Sequence, residues 1–163
     1  RFGRIDVLVN CSLVARAELL SATRDEDLER VFSNCTVEAF AWMRECRPRL
    51  AAAHGSIINF GSRMAMQGQP GLGMLAVEAL AGLSRVAARE WLDDGITVNV
   101  VCARAATAQF ERWAREFPDA QGEALSSLGC DALSTSYDSL VDTCLFLADE
   151  AGHHVTGQVL EAS

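Results

Sequence analysis

Three short apolar runs, each following a polar or glycine turn and each separated from the next by a helix-length stretch, constrain this chain more than any other feature. The first is Ile5, Val7, Leu8 and Val9; the second is Gly55-Ser56-Ile57-Ile58-Asn59-Phe60, ending at Gly61-Ser62; the third runs from Ile96 to Cys102 behind the turn Asp94-Gly95. A strand with one wet face alternates apolar and polar residues, whereas a continuous apolar run asks for cover on both faces. The intervening segments therefore have to be helices lying over a parallel sheet, and the fold class expected is α/β, a parallel sheet covered on both faces in a single domain spanning residues 1–163.

The first helical segment opens at Thr23-Arg24-Asp25-Glu26, whose Thr-x-x-Glu spacing is that of a capping box. Leu28, Val31, Phe32, Cys35, Ala39, Trp42, Met43 and Cys46 then recur at helical intervals, and Pro48 is expected to close the helix Asp25–Arg47. Met64 to Gly73, rich in Gly, Gln and Pro, reads as a loop. Met74–Leu92 reads as a helix that is apolar over more than one stripe, so its own sheet and a second surface both have to cover it. Residues 103–134 are irregular or weakly helical, Leu140–Ala148 suggests a last helix, and Val155–Leu160 a last strand.

Composition narrows the chemistry. All 14 basic residues are arginine, so no mechanism that needs an ammonium side chain is open to these residues. Tyr137 is the single tyrosine, and the histidines are His54, His153 and His154. A net charge of −8 without a basic cluster argues against nucleic acid and anionic membranes as partners. Cys11, Cys35, Cys46, Cys102, Cys130 and Cys144 form no CxxC or Cys/His ligand spacing, so no metal site is expected. Most of them sit among apolar neighbours as small hydrophobes, which suits a reducing, cytoplasmic setting. No apolar run reaches the ~20 residues of a membrane span.

The segments FGRIDVLVN, HGSIINFGS, ALAGLSRVAAREW, GITVNVV and FLADEAGHHVTGQVL, in that order, resemble the middle and C-terminal parts of the short-chain dehydrogenase/reductase family across nearly the whole chain. The resemblance implies a Rossmann-like doubly wound parallel sheet, an NAD(H) or NADP(H) cofactor, and assembly into dimers or tetramers. Carried over residue by residue, it also implies several departures. The family's Asn-Asn-Ala-Gly is Asn10-Cys11-Ser12-Leu13 here, retaining Asn10 as a cofactor-cleft residue. An ungapped alignment from Val31 to Pro48 puts the family's helix asparagine on Cys35, with Asn34 one position, about 100°, away.

The catalytic serine corresponds to Ser62, and the Tyr-x-x-x-Lys motif falls on Gly73 and Val77. Ala103-Arg104 stands for the family's Pro-Gly after the third strand, and Glu161-Ala162-Ser163 for its Asp-Gly-Gly ending. The family's Gly-rich phosphate turn is not found among these residues, so no cofactor is expected on this chain by itself. NAD(P) would belong to an active partner or to a preceding half of a longer protein. Arg63, Cys11, Ser12 and Tyr137 are further candidates near the cleft, with packing or solvated roles as their plainer readings.

Two functions follow as expectations. One is a non-catalytic homologue acting as a partner subunit of an NAD(P)-dependent oxidoreductase. It would pair with a homologous subunit or with itself through Asp25–Arg47 and Met74–Leu92, resembling heteromeric dehydrogenases such as the hydroxybenzyl-succinyl-CoA type. The other is an enzyme that reuses the old cleft through Ser62.

Overall fold

The computed structural model describes residues 3–12, 19–62, 65, 71–103, 111, 114–115, 118–127 and 137–162. Four strands, β1 (Val7–Asn10), β2 (Ser56–Gly61), β3 (Thr97–Ala103) and β4 (Val159–Ala162), form one sheet in the order β1-β2-β3-β4. Every neighbouring pair is parallel, with Leu8 opposite Ile57, Ile57 opposite Val98, and Val101 opposite Leu160. The helices are α1 (Asp25–Phe32), α2 (Glu38–Ala51), α3 (Leu72–Glu90), α4 (Pro118–Ser127) and α5 (Asp138–Ala148). None among the described residues is long and apolar enough to cross a membrane.

Strand parity divides the core into two layers. On one face, Leu8, Ile57 and Val98 meet Met43 and Leu50 of α2 and Ala87 and Ala88 of α3, while Val100 and Cys102 meet Ala81. On the other, Val7, Ile58, Phe60 and Val101 meet Leu140, Cys144 and Leu147 of α5. The chain steps across the sheet in one direction throughout, yet α5 lies on the face opposite α2 and α3. The β3–β4 crossover is therefore of opposite hand to the two before it, a departure from the usual single handedness.

Burial follows position in the sheet. β2 and β3 are covered on both faces, with Ile57, Ile58, Val98, Val100 and Val101 at 0–1% exposure. β1 is at an edge of the described sheet, and Val9 is 50% exposed, so the expectation of a first strand buried on both faces is not realised here.

The first helical segment is broken rather than continuous. A π turn at Ser33–Val37 separates α1 from α2, and the Thr36 hydroxyl donates across to the Ala76 carbonyl of α3 at 2.9 Å. Pro48 does not end the helix, which runs on to Ala51. An interior proline costs about 3 kcal/mol; the fully buried Leu50 and the Arg49 carbonyl, which accepts from Ile5 N, hold that last turn in place. The capping box does not form either. The Thr23 hydroxyl donates backwards to the Leu19 carbonyl at 3.0 Å, and Arg24 occupies the cap position.

α3 begins at Leu72, so Gly73 belongs to the helix and not to the preceding loop, and it ends at Glu90 before a short 3-10 turn. The last strand starts at Val159 rather than Val155 because the preceding residues are tied to side chains. The Asn99 amide donates to the Val155 carbonyl, and its oxygen accepts from Gln158 N. The Thr156 hydroxyl accepts from Val98 N.

A chain of buried polar groups crosses the first face. Asn10 Nδ2 donates to Asn59 Oδ1 at 2.7 Å, Asn59 Nδ2 to Ser84 Oγ at 2.8 Å, and Ser84 Oγ to the Leu80 carbonyl at 2.7 Å. Asn59 and Ser84 are 0–1% exposed, so an amide or hydroxyl stranded there would lack water as a substitute. Asn59→Leu is expected to cost about 2 kcal/mol and Ser84→Ala about 1 kcal/mol. The double variant should lose measurably less than the sum in urea unfolding, because the two side chains share a bond; strict additivity would show the chain to be energetically unconnected.

Candidate functional site

Parallel strands of an open α/β sheet present their carboxyl ends along one rim, where ligands of such folds bind. Here that rim is made by Asn10 and Cys11 after β1, Gly61 and Ser62 at the end of β2, and Cys102 and Ala103 at the end of β3. Cys11 and Ser12 are exposed and Ser62 is half-buried. The Ser62 carbonyl accepts from Ala65 N at 3.1 Å, which turns the chain away from the strand.

The wall of the rim on the α3 side is apolar. Val77 is 3% exposed and joins Cys35, Val31, Ala39, Ala65, Leu72, Ala76 and Leu80 in one cluster. Gly61 is the point where this wall closes on the sheet: a Cβ there would lie 2.5 Å from Val100 Cγ1, 3.0 Å from Cys102 Sγ and 4.0 Å from Val77 Cγ1. The strand end therefore needs a glycine so that Val77, Val100 and Cys102 can pack over it. Gly73 is buried one turn before Val77 on the same helix.

Of the residues singled out from the sequence, the structure brings Cys35 and Val77 into one cluster. Asn10 instead turns inward to the buried Asn59. Of the two helix positions weighed for the family asparagine, Cys35 faces inward, 1% exposed, and Asn34 is exposed. Burial, partly countered by a hydrogen bond from Thr36, pushes the Cys35 thiol up to about 11, so it is a neutral packing group at pH 7. His153 and His154 are exposed in the turn before β4, and Tyr137 is exposed at the start of α5. Among the described residues no three His, Cys, Asp or Glu side chains group as metal ligands. Arg63, Arg104 and Cys130 lie outside the described residues.

The Asn59–Ser84 bond and the Thr36–Ala76 tie were not anticipated. The first had a signal, since an asparagine inside an apolar strand needs a buried partner. The second arises only because the π turn points Thr36 at α3.

The family profile described as enoyl-(acyl carrier protein) reductase matches residues 1–162. A 12alpha-hydroxysteroid dehydrogenase from Clostridium sp. is 34% identical over 162 residues, covering 98% of this chain and 62% of its own length. The 3-oxoacyl-[acyl-carrier-protein] reductase FabG of Escherichia coli is 27% identical over 165 residues, 99% of this chain and 66% of its own. Sorbitol-6-phosphate 2-dehydrogenase SrlD from Erwinia amylovora superposes with a TM-score of 0.85 at 22% identity, over 99% of this chain and 68% of that one, a likeness of fold. The chain belongs to the short-chain dehydrogenase/reductase family, and it spans about two thirds of the length of these relatives.

The Cys35 thiol gives a pH signature. Its folded pKa lies above the ordinary 9.0, so the folded state holds that proton where the unfolded chain has lost it. Stability is therefore whole below pH 9 and falls as pH rises toward about 11. Cys35→Ala should flatten that decline in denaturant titrations taken across the window, and parallel curves for the two proteins would contradict the assignment.

Proposed function

We propose that the chain acts as a non-catalytic member of its family, a structural or regulatory partner subunit of an NAD(P)-dependent oxidoreductase. The observation that carries this reading is Val77, buried against Gly61, Val100 and Cys102 where the family's motif would place a lysine. Family chemistry passes a hydride to or from nicotinamide while a tyrosine, its pKa lowered by that lysine, moves the proton. Gly73 has no side chain to do so, and Cys35, its proton held by burial, does not replace it. The described residues thus fit the nicotinamide end of the cofactor poorly.

The outward surface of the helices supports a partner. Val37, Phe40, Leu75 and Val86 are exposed on the π turn, α2 and α3, and the open space beside Gly82 admits close approach of another backbone. A homologous, catalytically intact subunit fits the reading better than a second copy, since it gives an inactive chain something to stabilise. The alternative, an enzyme acting through Ser62, is favoured only by the half-buried place of that serine on the ligand-binding rim.

Titration of the whole protein with NADH and NADPH, followed by assays with hydroxysteroids and 3-oxoacyl thioesters, separates the two. No turnover is expected, and none from the Gly73→Tyr, Val77→Lys double variant, because Cys35 and the Asn10-Cys11-Ser12 turn remain. Co-expression with a homologue from the same genome should give a heteromer by size-exclusion and mass measurement. Cofactor-dependent turnover by the unaltered protein would defeat the partner reading.

A further inference from the structure

α5 covers the face of the sheet opposite α2 and α3, and its outer side carries an apolar patch separate from theirs. Leu140, Cys144 and Leu147 pack toward the strands. Turned away from them are two adjacent rows at the i, i+4 spacing of one helix side: Val141 with Leu145, and Asp138 with Asp142 and Phe146. Leu145 is 62% exposed, and Val141 and Phe146 are exposed beside it. A lone exposed leucine is ordinary, but a contiguous apolar patch with a polar rim marks an interaction surface. This rim is acidic. Asp142, Asp149 and Glu150 are exposed, and residues 138–152 contain no arginine. The arginine pairs among the described residues go to Asp6, Asp27, Glu45, Glu78 and Asp94, none of them on α5.

We propose that the outer side of α5 docks an amphipathic helix of another protein, one whose lysines or arginines run beside its apolar row. Charge selects this occupant. A second copy of the chain brings the same net charge of −8, and pairing α5 with itself in the antiparallel sense lays Val141 on Leu145 only by setting Asp142 near its own counterpart and Asp138 near Asp149. Nucleic acid and anionic lipid meet the same repulsion. A basic amphipathic helix instead covers Val141 and Leu145 with its apolar row while its cations reach Asp142, Asp149 and Glu150. At 11 residues, α5 is about 16 Å long, so the contact is one helix against one helix and its affinity is micromolar rather than tighter.

The full-length protein is titrated against a dye-labelled synthetic peptide of about 18 residues, with leucines along one helical side and lysines flanking them, and binding is read by fluorescence anisotropy. Saturable binding that weakens as salt rises is expected. Leu145→Ser should weaken it about tenfold, because the leucine side chain is no longer buried in the contact. Asp142→Lys should weaken it for the lysine peptide and strengthen it for the same peptide built with glutamates. Val86→Ser, on the α3 side, should leave it unmoved, so failure here and failure of the subunit interface on α2 and α3 are separable. Equal binding of the lysine and glutamate peptides, or unchanged binding by Leu145→Ser, would overturn the proposal. So would self-association that Leu145→Ser returns to monomer in size-exclusion, which makes a second copy the occupant. A thermal midpoint of Leu145→Ser well below wild type would overturn it too, because the patch is then covered by the chain itself.

Discussion

The register of the sheet rests on a line of polar groups inside an otherwise apolar layer. Asn59, in the middle of β2, accepts from Asn10 on β1 and donates to Ser84 on α3, which in turn donates to the Leu80 carbonyl. Apolar contacts would tolerate a sliding of β1 against β2 by two residues, because they are not directional. An amide with no water to fall back on does not tolerate it, since a slip leaves a buried donor or acceptor unpaired. The same bonds set how far α3 lies along the strands. That placement puts Val77, two turns before Ser84, over the end of β2.

The character of the rim follows from that placement. With Val77 held over Gly61, the gap between helix and strand ends is filled by Val77, Val100 and Cys102, and the π turn brings Cys35 into the apolar cluster that Val77 shares. Thr36 uses its hydroxyl to fasten the π turn to the Ala76 carbonyl, so its polar atom serves the packing. A π turn within a helix often marks a functional position. Here it presents a thiol whose proton burial retains.

The two faces of the sheet are built differently. The α2 and α3 face carries the buried polar line and the closely packed alanines of α3. The α5 face carries a shorter polar contact, Thr97 Oγ1 donating to Ser56 Oγ at 3.0 Å, and is held by Leu147 against Ile58 and Val101, and by Asn99, whose amide fastens the turn leading into β4. α5 still shows Val141, Leu145 and Phe146 to solvent, and β1 shows Val9.

The amino-acid sequence alone determined the first three strands, the helices between them and the family, because strand runs and helical periodicity are local patterns. It also determined that no lysine and only one tyrosine are present. Tertiary structure decided everything that depends on which partner a polar atom finds. Thr23 has the spacing of a cap but donates to Leu19 instead; Pro48 has the look of a terminator but is outweighed by the burial of Leu50; Val155–Gln158 has strand composition but is bound by Asn99 and Val98. Periodicity tells which residues share a face, yet not what covers it. For that reason the side of the sheet taken by α5 becomes visible only once the chain is folded.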